Sequence, residues 1–336
     1  MTSFDTLPHE RQLEILEEVA STATKLYDLP RDVSVSMVNL SENATYCVEA
    51  PESGDRWALR IYRDGYHSRN AIASELAWMQ ALRRDGVATT PIPLPGRNGD
   101  LIQEAGHATM RRPRHVVVFH WESGEEPSED EDLTAKFEIL GEITARMHEH
   151  SRQWRRPDGF ERLVWDFETS IGDKPHWGRW RDGMGIDKAK EALFAETVAA
   201  IGRRLERFGK GPDRFGLVHC DMRLANLLID GDEVKPIDFD DCGFSWYLYD
   251  AATTVSFFEH QPHVPELLEA WARGYRKRLD LPKEDEAEIP TFVMLRRLLL
   301  VAWIGSHAET ELAKSMGVPY TEDTVALCED YLRRFG

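Results

Sequence analysis

The sequence predicts an α+β fold with a strand-rich N-terminal lobe and a larger, mainly helical C-terminal lobe. Runs typical of strands recur over the first 120 residues, whereas runs with helical spacing dominate after residue 131. Residues 122–131 between them are acidic and turn-rich, which is typical of a linker. We therefore expect an N-terminal lobe of residues 1–121 and a C-terminal lobe of residues 122–336.

The N-terminal lobe combines two helical patterns with five strand-like runs. Apolar residues at helical spacing predict a helix from Glu10 to Tyr27, and an amphipathic helix is predicted over residues 68–84. The strand-like runs cover residues 33–40, 45–50, 56–62, 101–104 and 115–121.

The C-terminal lobe is predicted to be helical around a small β patch. The helices are expected over residues 132–150, 187–208, 247–259, 264–278, 285–305 and 322–334. The β patch is expected at residues 216–218, 227–229 and 234–237.

Composition excludes several classes of protein. The 336 residues carry a formal net charge of −18 and a pI near 5.1, which argues against nucleic-acid binding, because phosphate backbones select basic surfaces. The apolar run at residues 298–304 is far shorter than the ~20 residues that span a bilayer. Residues 1–5 show no basic or apolar targeting region, so we expect a cytoplasmic protein without a membrane partner. The oligomeric state is not predicted.

One stretch carries most of the chemistry. His219, Asp221 and Asn226 form H-x-D-x-x-x-x-N between two short strands, and Asp238 follows at another strand end. The first Asp can orient or deprotonate a hydroxyl, while Asn and the second Asp can hold Mg²⁺ bound to ATP. With 12 histidines, about 0.03 such matches are expected from ordinary composition. The alternative is a polar loop in which Asp and Asn only cap turns.

The N-terminal lobe offers a second, independent signal. Arg60 lies in a strand with apolar neighbours, and Glu75 lies on the following helix. A cation on a strand that pairs with a carboxylate on a helix can hold the phosphates of ATP. An ordinary surface ion pair has the same sequence pattern. The loop at residues 41–46 has no glycine, so Ser41 and Asn43 are candidates to contact the phosphates with their side chains.

On these residues the chain resembles the aminoglycoside phosphotransferase and choline kinase superfamily, a small-molecule branch of the protein-kinase-like fold. Within it, the chain is most similar to the group of type II homoserine kinases, hydroxylysine kinase and the stress-response kinase of enteric bacteria. The matching segments are residues 57–63, 75, 116–124, 219–226, 237–241 and 249–250.

The resemblance implies a bilobal protein-kinase-like fold that uses ATP and Mg²⁺. It implies that Asp221 is the catalytic base, that Asn226 and Asp238 hold magnesium, and that Arg60 contacts the phosphates. The remaining implied roles are adenine binding near Phe119 and Trp121, and bracing of the catalytic loop by His219 and Asp250.

Two positions depart from the superfamily pattern. Arg60 stands where lysine is usual, and the two cations are not interchangeable at a phosphate. Cys220 stands where the loop frequently has a glycine.

The acceptor is expected to be small and to carry an amine. Few residues separate Asp238 from the next helix, which leaves no length for a peptide platform. Asp240, Asp241 and Glu259 are candidates to attract a cation. The equal alternative is that Asp240 supports the metal, Asp241 caps a turn and Glu259 is solvated. Trp165 belongs to a tryptophan-rich segment, residues 151–185, which either lines the acceptor site or anchors an insert.

Three classes of function are open to such a chain. We expect an ATP-dependent kinase that phosphorylates an amino alcohol, a hydroxy amino acid or an amino sugar. A protein Ser/Thr kinase of the stress-response type is the first alternative, and the short segment after Asp238 counts against it. A nucleotide-binding pseudokinase is the second, although it would have no chemical need of Asp221, Asn226 and Asp238 together.

Overall fold

The computed structural model describes residues 3–336, which form two compact units. The first unit comprises the residues up to Ala81 together with Thr90–Ser123 and Pro157–Glu161. The second comprises Leu82–Thr89, Gly124–Arg156 and Arg162–Gly336.

The first unit is built on an antiparallel sheet, with strand order β1-β2-β3-β6-β4 and β5 paired to β6. The strands are β1 (Ser34–Leu40), β2 (Ala44–Glu49), β3 (Arg56–Ile61), β4 (Pro93–Leu94), β5 (Gln103–Ala105) and β6 (Arg114–His120). The helices are α1 (His9–Thr24) and α2 (Arg69–Arg84).

The side chains of the central strand β3 alternate between the hydrophobic core of this unit and the opposite face of the sheet. Leu59 and Ile61 join a hydrophobic core with Ile15 and Val19 of α1. Because successive side chains of a strand point to opposite faces, Arg60 lies on the other face of the sheet. Its side chain is nevertheless buried, so its charge requires a partner.

The second unit is mainly helical and contains two short antiparallel pairs. The helices are α3 (Thr134–Gln153), α4 (Phe167–Ser170), α5 (Lys188–Phe208), α6 (Tyr247–Thr253), α7 (Val264–Tyr275), α8 (Lys283–Glu286), α9 (Ile289–Ser306) and α10 (Glu311–Phe335). β7 (Phe215–Val218) pairs with β10 (Gly243–Trp246), and β8 (Leu227–Asp230) pairs with β9 (Glu233–Pro236).

Helix α9 forms the centre of this unit. Its residues are buried from Phe292 to Ile304, including two arginines, Arg296 and Arg297. The stretch Lys283–Ser306 is long and apolar enough to cross a membrane, but 78% of the apolar 18-residue segment within it is buried inside the protein. Such burial is typical of a helix in the core of a globular protein.

Helices α3 and α7 approach each other closely through two glycines. A Cβ atom on Gly141 would lie 1.9 Å from the backbone oxygen of Trp271, and one on Gly274 would lie 1.8 Å from that of Glu138. The contact therefore excludes any larger residue at either position. It brings His148 of α3 next to Tyr275 of α7, where the imidazole Nδ1 and the hydroxyl are 3.0 Å apart.

The structure corrects three boundaries expected from the sequence. Residues 240–246 are expected only to separate Asp238 from the next helix, but Gly243–Trp246 form β10, a four-residue strand whose partner strand, β7, ends 25 positions earlier in sequence. The helix expected over residues 247–259 ends at Thr253. The last helix begins at Glu311 and continues through a kink at Gly317, whose φ of 49° only glycine adopts easily.

We predict that stability falls as the pH drops below about 6.5. Burial lowers the pKa of His148 and of His219, although the neighbouring Asp250 opposes this effect at both. Below pH 6.5 the unfolded chain therefore binds protons that the folded protein excludes. For each histidine, the free energy of unfolding falls by up to about 1.4 kcal/mol per pH unit. Urea unfolding between pH 7.5 and 5.0 measures this slope.

The control replaces His9, which is exposed, and the test variant replaces His148. His148→Gln should reduce the pH slope, whereas His9→Gln should leave it as in the wild type. A wild-type unfolding free energy that is constant from pH 7.5 to 5.0 would contradict the prediction.

Candidate active site

The two short β pairs bring the polar loop residues to one end of the second unit. In the β8–β9 hairpin, Leu227 pairs with Pro236, so the residues just outside the hairpin are also adjacent. There the backbone N–H of Ile237 donates to the carbonyl oxygen of Asn226 at 2.9 Å. Asn226 and Asp238 thus flank the open end of one hairpin.

Asp221 has a partner on each carboxylate oxygen. Arg296 Nη2 donates to Oδ1, and Asn226 Nδ2 donates to Oδ2 at 2.6 Å and to the backbone oxygen of Asp221 at 2.9 Å. Arg223 Nε lies 3.4 Å from Oδ2. Burial raises the pKa of Asp221, but Arg296 and Arg223 outweigh it and lower the pKa overall, so the carboxylate is ionised.

A second buried carboxylate holds the backbone on which Asp221 lies. Asp250 accepts hydrogen bonds from the backbone N–H of His219 at 3.1 Å and of Cys220 at 2.7 Å. His148 Nε2 lies 2.9 Å from Asp250 Oδ2. Cys220 has a φ of 69°, a conformation that costs a non-glycine residue energy, and these bonds oppose its relaxation.

His219 supports the loop from the other side. Its Nε2 lies 3.1 Å from the carbonyl oxygen of Ile237, and its ring packs 4.4 Å from that of Phe239. Since Ile237 precedes Asp238, this contact ties the Asp221 loop to the Asp238 loop.

The donor atoms near Asp238 suit a hard cation. The amide nitrogen of Asn226 is committed to Asp221, which leaves its oxygen Oδ1 for a cation. Asp238 supplies a carboxylate from a residue with a φ of 57°. Amide and carboxylate oxygens are the ligands that Mg²⁺ prefers, so these residues fit the metal that the sequence predicts.

The loop after Asp238 is fixed from the tryptophan-rich segment. Arg162 donates to the carbonyl oxygens of Asp240 and Cys242, the latter at 2.5 Å from Nε. Trp165 Nε1 donates to the carbonyl oxygen of Asp241 at 2.9 Å. Trp165 is 1% exposed, so its ring is packed inside the protein.

Glu259 is neither solvated nor available as an unpaired charge. Its carboxylate accepts a hydrogen bond from Arg297 Nη1 at 2.7 Å and one from the hydroxyl of Tyr320 at 3.1 Å, and all three groups are buried. A cationic acceptor would have to compete with Arg297 for it. Of the three carboxylates expected near the acceptor, Asp240 and Asp241 lie on the loop that follows Asp238, and Glu259 belongs to this separate ion pair.

In the first unit, Arg60 and Glu75 form the expected ion pair. Arg60 Nη1 lies 2.9 Å from Glu75 Oε1, and the hydroxyl of Tyr62 donates to Oε2 at 3.3 Å. The guanidinium also lies 5.5 Å from the ring centroid of Phe119. Glu75 is fully buried, so the pair is held in a fixed geometry.

The other nucleotide candidates of the first unit have structural partners. Asn43 Oδ1 accepts a hydrogen bond from the backbone N–H of Arg63 at 3.1 Å, and Ser41 closes the same turn by donating its N–H to the Asn43 carbonyl at 3.1 Å. Trp121 follows β6 and packs under the guanidinium of Arg56, 4.9 Å from the ring centroid.

Sequence reasoning did not single out two buried arginines and a buried histidine, which contact Asp221, Asp250 and the loop after Asp238. These residues are Arg162, Arg296 and His148. One signal was available, because Arg296 and Arg297 interrupt an otherwise apolar run of residues 292–304. Buried arginines in such a run are expected to have specific carboxylate partners.

Comparison with known proteins identifies the family. The model of the phosphotransferase enzyme family matches residues 39–287, which include the Arg60, Asp221 and Asp238 motifs. The chain belongs to this family. The predicted superfamily is thereby confirmed, and the chain is an ATP-dependent phosphotransferase.

Individual members of the family match over most of their length. Amicoumacin kinase of Bacillus subtilis (strain 168) is 24% identical over 298 residues, which cover 84% of this chain and 83% of that kinase. The structure of a microcompartment-associated aminopropanol kinase is 45% identical, with a TM-score of 0.87, and the match covers 95% of this chain and 98% of that one.

A more distant structure confirms the predicted protein-kinase-like fold. Amicoumacin kinase hAmiN in complex with AMP-PNP and Ca²⁺ is 20% identical, with a TM-score of 0.73, over 95% of this chain and 94% of that one. At this identity the likeness concerns the fold alone.

We predict that Arg162 is needed for stability of the phosphotransferase. Arg162→Met removes a charged donor from the buried carbonyl oxygens of Asp240 and Cys242, and each unsatisfied carbonyl costs about 1–3 kcal/mol. The free energy of unfolding in urea should fall by about 2–4 kcal/mol. Arg156→Met is the control, because Arg156 is exposed and only packs over Phe244. Equal stability of the two variants would contradict the prediction.

Proposed function

We propose that this phosphotransferase transfers the γ-phosphoryl group of ATP to the hydroxyl of a small amino alcohol. The observation that carries the proposal is the ionised Asp221 carboxylate. It accepts a hydrogen bond from Asn226, which is one of the two residues suited to hold a metal. The 45% identity to an aminopropanol kinase over nearly the whole of both chains makes aminopropanol the first acceptor to test. A kinase acting on a small-molecule hydroxyl is therefore favoured over a protein kinase or a pseudokinase.

Asp221 is the base in this scheme. The acceptor hydroxyl donates its hydrogen bond to the carboxylate, and its oxygen attacks the γ-phosphorus. The bond between that phosphorus and the β,γ-bridging oxygen breaks, and ADP leaves. The hydroxyl proton passes to the Asp221 carboxylate, which returns it to solvent after the phosphate ester has left.

We propose nucleotide-binding roles for several of the described residues. Mg²⁺, when bound with ATP, neutralises charge on the phosphates, and Asn226 and Asp238 would hold it. Arg60, fixed by Glu75, is proposed to contact the phosphates. We further propose that Ser41 and Asn43 lie beside the phosphates and that backbone groups near Phe119 and Trp121 bind adenine.

A small, cationic acceptor is supported by the loop after Asp238. Residues 243–246 of this segment form β10, so only residues 239–242 connect it to Asp238. That length offers no platform for a peptide. Asp241 can attract an ammonium group with about 4 kcal/mol at 4 Å and an effective dielectric of 20, before desolvation is subtracted. We place the reaction in the cytoplasm, where ATP is abundant.

The experiment that tests the function is a kinase assay over a panel of acceptors. The panel contains aminopropanol, ethanolamine, choline, homoserine, an amino sugar, a neutral sugar and a protein substrate, each with Mg-ATP. We expect turnover with amino alcohols and none with the neutral sugar or the protein. Turnover only with a neutral sugar, or only with a protein, would refute the proposed acceptor class.

Asp221→Asn should strongly reduce turnover while nucleotide binding is retained. General-base and orienting roles are typically worth ~10²–10⁴ in rate, so kcat should fall by that factor. Thermal melting with Mg-ATP reports binding, because a ligand at 100 times its Kd adds about 2.7 kcal/mol of stability. Near-wild-type kcat in Asp221→Asn would show that Asp221 is not the base.

Asp238→Ala should instead weaken the dependence of turnover on magnesium.

Asp241→Asn should raise KM for a cationic acceptor by about tenfold or more and leave KM for ATP nearly unchanged. The reason is the loss of the attraction between the carboxylate and the ammonium group. Initial rates at varied acceptor and at varied ATP separate the two constants. If both KM values rise together, Asp241 supports the loop and does not bind the acceptor.

A further inference from the structure

Two adjacent arginines of α9 are buried in the core of the second unit. Arg296 is 2% exposed and Arg297 is fully buried. Burying a guanidinium group costs several kcal/mol unless charges and acceptors compensate it. Each arginine therefore has a set of partners, and the two sets differ.

Arg297 connects α9 to α10 and to Glu259. Its Nη1 donates to the Glu259 carboxylate at 2.7 Å, its Nε to the hydroxyl of Thr324 at 2.7 Å, and its Nη2 to the carbonyl oxygen of Tyr320 at 2.8 Å. Among these partners there is no residue of the Asp221 loop. Arg297 thus stabilises helix packing.

Arg296 is directed at the Asp221 loop instead. Its Nε donates to the hydroxyl of Ser256 at 3.0 Å, its Nη1 to the hydroxyl of Tyr249 at 3.3 Å, and its Nη2 to Asp221 Oδ1. The guanidinium also lies 5.4 Å from the ring centroid of Trp177. Each of its three nitrogens is engaged by a different residue.

We propose that Arg296 is a positioning residue, which fixes the rotation of the Asp221 carboxylate so that the base accepts the acceptor proton in one orientation. The inference rests on the proposed function of Asp221 as base. Asn226 engages Oδ2 and Arg296 engages Oδ1, and two donors on opposite oxygens prevent rotation about the Cβ–Cγ bond. A carboxylate oxygen has two lone pairs, so Oδ1 retains one for the hydroxyl.

The partners of Arg296 favour a fixed support over a movable gate. A side chain that swings away on ligand binding would have to leave Ser256, Tyr249 and the ring of Trp177 at once. Burial by itself lowers the pKa of Arg296, but Tyr249 and Asp221 raise it overall, so the group remains charged. Loss of this support should lower kcat more than it changes the binding of ATP.

Lysine at either position keeps the charge, which allows a matched comparison of Arg296→Lys with Arg297→Lys. A single ammonium group cannot bond to Ser256, Tyr249 and Asp221 in the geometry of a planar guanidinium. We expect Arg296→Lys to lower kcat by about 100-fold, with KM for ATP within threefold of wild type. Arg297→Lys should keep kcat within threefold. Titration with Mg-ATP gives the fraction of folded, binding-competent protein, to which both kcat values are normalised.

The double variant Asp221→Asn/Arg296→Lys tests whether Arg296 acts through Asp221. If it does, the second substitution has nothing left to disturb, and the double variant should have a kcat within about threefold of Asp221→Asn alone. Independent, multiplying effects of the two substitutions would overturn the proposal. So would a normalised kcat of Arg296→Lys close to the wild-type value, or an equal loss in Arg297→Lys.

The proposed function and this inference fail in distinguishable ways. Wild-type turnover across the acceptor panel tests the function alone. The ratio of variant to wild-type kcat, measured with whichever small acceptor the wild type phosphorylates, tests Arg296. A wild type active on a neutral sugar would refute the amino alcohol and still allow the role of Arg296 to be measured.

Discussion

The carboxylate of Asp221 is buried and ionised, and the structure around it follows from the need to compensate that charge. Water cannot solvate it fully, so Arg296, Arg223 and Asn226 take the place of solvent. Because Arg296 comes from α9, the central helix of the second unit has to carry a cation in its apolar core. The Asp221 carboxylate and the packing of the unit are therefore parts of one arrangement.

A second buried carboxylate, that of Asp250, is compensated in the same way next to the Asp221 loop. Asp250 is fully buried, and its oxygens accept from the backbone of His219 and Cys220 and lie beside His148. A carboxylate that accepts hydrogen bonds from backbone N–H groups can hold a loop in a conformation that would be unfavourable without those bonds. This explains how Cys220 keeps a positive φ where superfamily members frequently have glycine. The backbone strain lies directly beside Asp221, the proposed base.

Much of the candidate site followed from short-range sequence patterns. The spacing of His219, Asp221 and Asn226 describes a single loop, and the β8–β9 hairpin then brings Asp238 to its end. Arg60 and Glu75 are 15 positions apart on neighbouring elements, and the structure pairs them. Such signals are readable because the residues lie on one loop or on consecutive elements, where spacing determines proximity.

The sequence by itself determined the α+β organisation, most strands of the first unit, and the order of the proposed base and metal-binding residues along the chain. Only the tertiary structure decided which charges meet. Arg296 and Asp221 are 75 positions apart, and Arg297 and Glu259 are 38 apart, so periodicity indicates that these residues are buried but not which partners they have. A buried charge is tolerated only beside a specific partner, and that partner is chosen by how distant helices pack.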